Sequence, residues 1–244
     1  AAAKRKEALA IWNEAEPASG SHPYIERKKV DAAGLRVVVK GRGDWLPAGT
    51  LLVPGRGLDG EFLTAQRIFP DGSKMMLKGS MAGAFFAASG ADRWTPDSRP
   101  VALAEGMATA KTLQNLFGDD VAVVTCFSSS NFESAARKIR EKHPEQEILI
   151  CPDVYDAPLP EATEKGRQTR EQTIRKIEGL SRFGRILRLP AGLPANYDWN
   201  DYSADYGTDA ARIALSNAMQ DAAGAEEEDL FPLAHPAEME DRDP

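Results

Sequence analysis

From residue 100 onward, short apolar segments alternate with segments whose apolar residues recur at helical spacing. The strand-like segments are 101–105, 121–127, 147–153 and 185–190, and the helical segments are 107–117, 131–143, 161–178 and 208–222. Strands and helices that alternate at this spacing form βαβ units, in which helices bury both faces of a parallel sheet. Because open sheets of this kind bind ligands at the carboxyl ends of their strands, the side chains that follow these segments are the first candidates for a functional site.

The preceding segment, 24–100, has a different pattern of short apolar runs broken by Gly, Pro and Asp. This pattern predicts a small, mainly antiparallel sheet with tight turns at 58–60 and 70–72. Before it, the spacing of apolar residues over 4–16 predicts a short amphipathic helix. We therefore predict an α/β protein made of an N-terminal helix (1–19), a mainly antiparallel α+β subdomain (20–98), a parallel-sheet domain flanked by helices (99–220) and an acidic, disordered tail or linker (221–244).

The net charge of −7 is unevenly distributed. Residues 221–244 contain nine acidic side chains and one basic side chain, so the rest of the chain is close to neutral. Residues 20–80 contain ten Lys or Arg against six Asp or Glu. This modest excess fits either a nucleic-acid-binding groove or an ordinary solvated surface, because the local field depends on where the charges lie.

Two further features narrow the class of protein. Cys126 and Cys151 both lie in apolar runs, and two isolated thiols form neither a disulfide framework nor a four-ligand zinc site. No apolar run approaches the roughly 20 residues that a membrane span requires, and the first residues lack the apolar block of a secretion signal. We therefore expect a cytoplasmic protein with no membrane partner.

Acidic side chains follow three of the predicted strands. They are Glu105 after the first strand, Asp153 and Asp156 after the third, and Asp198 and Asp201 after the fourth. Carboxylates that cluster at one sheet edge repel each other unless a cation neutralises them, and Mg²⁺ and Mn²⁺ prefer oxygen ligands. The alternative roles are a helix cap for Glu105 and a turn cap before Pro158 for the acids of the third strand.

Several segments in order resemble those of Toprim (topoisomerase/primase) DNA primases of phages, satellites and plasmids. They are LAEGMATA (103–110), SSSNF (128–132), ILICPD (148–153), DWND (198–201), and, upstream, 22–30 and 61–86. The resemblance covers roughly residues 11–220. It implies a primase-type subdomain followed by a Toprim domain, without zinc-binding or helicase modules.

The resemblance also implies roles for individual residues. Glu105 would be a metal ligand and a general acid or base, and Asp153 would be a second metal ligand. The family has Asp-x-Asp in the second acidic motif, whereas this chain has Tyr155 at the third position, and Asp156 could replace the missing acid if the loop bulges. Asp198 and Asp201 would have a supporting metal role.

Four further residues match positions of the family that would contact triphosphate or template. They are the basic residues Arg67, Lys74 and Lys78 and the turn residue Asn131. Cations neutralise phosphate charge, but basic residues on hairpins are also ordinary surface residues. The value of these three therefore depends on whether they face the acids.

The predicted function is synthesis of short RNA primers on single-stranded DNA from ribonucleoside triphosphates, with Mg²⁺ or Mn²⁺ as cofactor and a replicative helicase as a further partner. Two alternatives remain open at this point. A Toprim nuclease would use the same acids to cut DNA. A catalytically degenerate accessory protein, which Tyr155 suggests, would bind single-stranded DNA without metal-dependent chemistry.

Overall fold

The computed structural model describes residues 2–79, 81–91, 94, 98–157 and 163–230, with side chains as far as residue 224. The helices of these residues are α1 Ala2–Glu14, α2 Pro23–Lys28, α3 Met107–Phe117, α4 Phe132–Lys142, α5 Glu164–Glu178, α6 Trp199–Tyr206 and α7 Thr208–Leu230. The strands are β1 Glu16–Pro17, β2 Arg36–Val37, β3 Leu51–Arg56, β4 Phe62–Ile68, β5 Lys74–Met76, β6 Phe86–Ala87, β7 Val101–Ala104, β8 Ala122–Thr125, β9 Ile148–Cys151 and β10 Arg185–Ile186.

The first sheet is antiparallel throughout, with strands in the order β1-β2-β3-β4-β5. Helix α1 packs against one face of it through Ile11 and Trp12, which contact a cluster that includes Leu52 and Phe62. The mainly antiparallel sheet predicted for the first part of the chain is confirmed. Helix α1 and β1 belong to this layer, because β1 pairs with β2.

The second sheet has the strand order β10-β9-β7-β8-β6. Strands β7, β8, β9 and β10 are parallel, and β6 is antiparallel at the edge beside β8. The predicted α/β class is therefore confirmed. Residues 86–87 were predicted to belong to the first subdomain (20–98). In the structure they form β6, which pairs with β8 in the second sheet.

Helices cover both faces of the second sheet. Alternate residues of β7 point to opposite faces, so Ala102 and Ala104 face a cluster with Trp199, whereas Leu103 faces a cluster with Phe132. Helices α3, α6 and α7 supply the first cluster and α4 supplies much of the second. Each large apolar side chain buried here contributes roughly 1.5–3 kcal/mol to folding.

The two sheets are joined by a continuous apolar cluster in which Ile25 and Leu51 of the first part meet Met107 and Phe127 of the second. A buried lysine, Lys111 of α3, reinforces this junction. Its Nζ donates to Asp31 Oδ1 at 2.6 Å and to the carbonyl oxygens of Ala33 and Ala88. The edge where β7 and β9 end is therefore held against the first sheet.

Two segments differ from the sequence prediction. Residues 199–201, predicted as part of a loop, form the first turn of α6. Helix α7 continues to Leu230, so residues 221–230 are helical where a disordered tail was predicted, which fits the alanine-rich sequence there because alanine has the highest helix propensity. Residues 231–244 of that tail lie outside the described part of the chain. Across the residues that are described, none of the helices has the length and apolar character needed to cross a membrane.

Candidate active site

Glu105 and Asp153 leave the same edge of the second sheet. Ala104 at the end of β7 lies opposite Cys151 at the end of β9, so the chain segments that follow the two strands start side by side. Glu105 is anchored through its main chain, whose carbonyl accepts a hydrogen bond from the Thr125 hydroxyl at 2.8 Å. Gly106 then caps α3 in an extended conformation. Glu105 and Asp153 therefore lie at the same edge of the sheet, as the sequence predicts for acids that follow parallel strands.

Asp153 is the most perturbed carboxyl group of this edge. Its Oδ1 is buried and has no hydrogen-bond partner among the described residues. Burial raises the pKa of Asp153 to about 8, and the negative charges of Glu105 and Asp198 add to the rise, whereas Lys74 opposes it. The site therefore has more hydrogen-bond acceptors than donors. A bound cation would satisfy the unpartnered oxygen and offset the negative charge.

Tyr155 binds Glu105 directly. Its hydroxyl donates a hydrogen bond to Glu105 Oε2 at 2.5 Å. Burial and the Glu105 carboxylate raise the pKa of the Tyr155 hydroxyl, so it remains a neutral donor. The guanidinium of Arg170 lies 5.8 Å from the centre of the Tyr155 ring. The residue that departs from the family pattern is thus part of the acidic cluster.

Asp198 and Asp201 have structural partners. Asp198 accepts hydrogen bonds from the backbone N–H groups of Asn200 and Asp201, and Asp201 accepts one from the backbone N–H of Asp198, which together make a capping box for α6. The Thr109 hydroxyl also donates to Asp198, at 2.9 Å, and Lys28 donates to Asp201 at 3.0 Å. These two acids add negative charge near Asp153 but are occupied as a cap and an ion-pair partner.

The predicted basic residues lie on two faces of the first sheet. Lys74 is paired with Ile68 and Arg67 with Met75, so Lys74 and Arg67 point to opposite faces. The charge of Lys74 acts on Asp153. Arg67 instead donates to the Trp45 carbonyl and lines a cavity of about 440 Å³ beside α1, together with Lys78. The structure brings Lys74 to the acids and places Arg67 and Lys78 elsewhere.

The other two predicted site residues have contrasting positions. Asn131 is buried, and its amide accepts from the backbone N–H of Gly83 and donates to the carbonyl oxygens of Ala84 and Cys126. It therefore fixes the turn after β8, and this position differs from the predicted contact with nucleotide or DNA. Asp156 is exposed and lines a cavity of about 380 Å³ that also contains Asp153 and Arg188.

The donor set fits a magnesium-type cation. Among the described residues, no three His, Cys, Asp or Glu side chains are grouped closely enough to hold a metal by themselves. Mg²⁺, however, commonly binds one or two carboxylates and takes its remaining oxygens from water and substrate phosphates. Glu105 and the unpartnered Oδ1 of Asp153 are hard oxygen donors of the type that such an ion binds.

Comparisons with known proteins agree with this architecture. No family model matches the chain. The chain is 26% identical over 215 residues to the DNA primase TraC of Escherichia coli, a match that covers 83% of the chain and 19% of that relative. The chain therefore spans about a fifth of the length of this curated relative.

Two solved structures share the fold. The primase fragment of the bacteriophage T7 primase-helicase protein matches with a TM-score of 0.50 and 16% identity, over 78% of this chain and 72% of that one. A chain from the complex of the T7 lagging-strand DNA polymerase with primase domains, an RNA/DNA hybrid and dTTP matches with a TM-score of 0.53 and 14% identity, over 81% and 90%. The fold is thus that of a primase fragment.

The resemblance to DNA primases of the phage and plasmid type, predicted from the order of the motifs, is therefore confirmed. Sequence reasoning did not find three partners of the acids, namely Lys28, Thr109 and Tyr155. Lys28 and Thr109 lie within the motif segments, but their partners are 173 and 89 residues away in the chain. In the sequence, Tyr155 is recognisable only as a residue that replaces the second acid of the Asp-x-Asp motif.

Proposed function

We propose that this chain is the primer-synthesising part of a DNA primase, which joins ribonucleotides into short RNA primers on a single-stranded DNA template. The observation that carries the proposal is the proximity of Glu105 to Asp153 at one sheet edge, where a buried carboxylate oxygen has no partner among the described residues. The likeness to the TraC primase and to the T7 primase fold supports it.

The proposed cofactor is Mg²⁺ or Mn²⁺, which would be held by Glu105 and Asp153 in a Toprim-type site. When bound, such an ion orients triphosphate oxygens and neutralises charge during nucleotidyl transfer. Tyr155 binds one carboxylate oxygen of Glu105, so the other oxygen would bind the ion. Lys74, whose charge acts at the same place, would bind the triphosphate. Asp198 and Asp201 would support the site by fixing α6 and by adding negative charge.

The proposed partners are single-stranded DNA, ribonucleoside triphosphates and a replicative helicase. The T7 structures support the nucleic-acid and helicase partners, because one is a fragment of a primase-helicase protein and the other includes an RNA/DNA hybrid. The cytoplasm of a bacterial host is the proposed location, since primers are made where DNA is replicated.

The test is incubation of the chain with single-stranded DNA, labelled ribonucleotides and Mg²⁺ or Mn²⁺, with both new oligomers and template cleavage measured. We expect dinucleotides and short primers from the native chain and none from Glu105→Gln with an unchanged melting temperature. Glu171→Gln is the matched control, because this exposed acid of α5 pairs with Arg175 and is not part of the proposed site.

The same assay separates the alternatives. Cleavage of DNA without incorporation of ribonucleotides would indicate a nuclease. Salt-sensitive DNA binding with neither product would indicate an accessory protein. Full synthesis by Glu105→Gln would remove this residue from the mechanism.

A further inference from the structure

The acidic site contains a hydrogen bond whose role the proposed function leaves open. Tyr155 and Glu105 are 50 residues apart in the chain, and their side chains meet at 2.5 Å. Such a short contact between a neutral donor and a carboxylate is a charge-assisted hydrogen bond, which is roughly twice as strong as one between neutral groups. It fixes the orientation of the carboxylate as well as its position.

The Tyr155 ring is itself held in place. Arg170 lies over the ring, and its guanidinium also donates to the carbonyl of Val154, the residue next to Tyr155. Tyr155 is half-buried, so the hydroxyl has restricted freedom to turn to solvent. The loop after β9 therefore presents a rigid donor to the residue that follows β7.

The charge balance explains why a neutral donor suits this position. Asp153 already lies close enough to Glu105, Asp198 and Asp201 for their charges to act on it, and Lys74 is the basic residue that opposes them. A further carboxylate at position 155 would add repulsion to these acids, whereas the phenol of Tyr155 adds a hydrogen-bond donor without charge. Tyr155 leaves Glu105 Oε1 available while it binds Oε2.

We propose that Tyr155 is a positioning residue, which orients the Glu105 carboxylate so that its free oxygen and Asp153 bind one divalent cation. The reaction that this cation would serve is that of the proposed function, on which this inference rests. The binding of the cation can be tested without that reaction. Partners that orient a metal ligand typically change metal affinity or activity 10- to 100-fold when they are removed. Tyr155 would thus act through Glu105 and not by touching the substrate.

The experiment is titration of the whole chain with Mn²⁺ alone, by isothermal calorimetry, in a double-mutant cycle. We expect Tyr155→Phe to weaken Mn²⁺ binding by about tenfold, and the same change to have no further effect when Glu105→Gln is already present. Tyr197→Phe is the matched control, because it removes a hydrogen bond of the same 2.5 Å length to another carboxylate, Asp205. This control should bind Mn²⁺ as the native chain does.

Folding is checked by the melting temperature of each variant. Tyr155→Gln, which keeps a neutral N–H donor, is a second variant that should bind Mn²⁺ more tightly than Tyr155→Phe. In the primer assay, excess Mn²⁺ should restore much of the activity of Tyr155→Phe, because the hydroxyl acts through the binding of the cation.

Three results would overturn the inference. Native Mn²⁺ affinity in Tyr155→Phe would show that the hydrogen bond has no bearing on the cation, and would leave the proposed function standing if Glu105→Gln still loses binding. An equal loss in both backgrounds would show that Tyr155 acts independently of Glu105. Native affinity in Glu105→Gln would remove both the inference and the proposed metal site.

Discussion

The buried carboxyl group of Asp153 should make the stability of the metal-free protein depend on pH in a specific way. Its pKa in the folded protein is about 8, against 3.8 for an unperturbed aspartate. Because the folded state holds this proton more tightly, its stabilising effect is complete below about pH 4. It is lost progressively as the pH rises towards 8, where the folded protein also releases the proton.

The size of this effect follows from the two pKa values of Asp153. At pH values between these two pKa values, the folded state binds one more proton than the unfolded state. The free energy of unfolding should therefore fall by about 1.4 kcal/mol for each pH unit. Over the whole interval from 3.8 to about 8 the loss is at most about 6 kcal/mol. Asp153→Asn removes the titrating group and should remove this slope.

The assay is urea denaturation at several pH values between 5 and 8.5, in the presence of EDTA. We expect the native chain and Asp153→Asn to differ in slope, with the variant the more stable of the two at pH 8.5. Asp156→Asn, which changes an exposed acid three residues away, should follow the native curve. Parallel curves for the native chain and Asp153→Asn would refute the view that this carboxylate is unfavourable in the empty site.

Three other predictions follow from the same contacts. Mn²⁺ at about 100 times its Kd should stabilise the native chain by about 2.7 kcal/mol at pH 8 in thermal or urea unfolding, and Asp153→Asn should lose most of this gain. Asp198→Ala should cost about 0.5–2 kcal/mol in urea unfolding because it removes the cap of α6; an unchanged midpoint would contradict the capping role. Lys74→Ala should lower primer synthesis far more than Lys78→Ala, because Lys74 acts on Asp153 whereas Lys78 lines the cavity beside α1. Equal losses in the primer assay would contradict this assignment.

The parallel strands and the helices of the second sheet could be predicted because they depend on local periodicity, whereas the antiparallel edge strand β6 was not. Helix α3 has the bounds that the sequence predicts, and strands β7 to β9 lie within the predicted apolar segments. The meeting of Glu105 and Asp153 then follows from the parallel order of β7 and β9, since both residues come just after their strands.

The faces of the basic residues could not be predicted in the same way. Arg67 and Lys74 lie on adjacent strands of one hairpin, and their orientation depends on the register between β4 and β5. A slip of one residue would exchange the two faces of a strand, and short apolar runs do not determine that register. The hairpin sequence alone therefore leaves open which basic residue faces the acids.

The roles of the remaining acids depend on distant partners. Asp198 and Asp201 look like further strand-end ligands in the sequence, but Lys28 and the N-terminus of α6 engage them in the folded chain. Tyr155 likewise appears only as a departure from an acidic motif until its hydroxyl is seen to meet Glu105. Such pairings arise from packing, and sequence spacing does not report them.

The proposed chemistry depends on one divalent cation that Glu105 and Asp153 bind together. The most direct measurement is a crystal structure of the chain with Mn²⁺ and a ribonucleoside triphosphate, in which anomalous scattering locates the ion. We expect one peak within about 2.0–2.6 Å of a carboxylate oxygen of each residue, the range for hard cations bound by oxygen. A peak bound by other residues, or none at a Mn²⁺ concentration that supports primer synthesis, would contradict the claim.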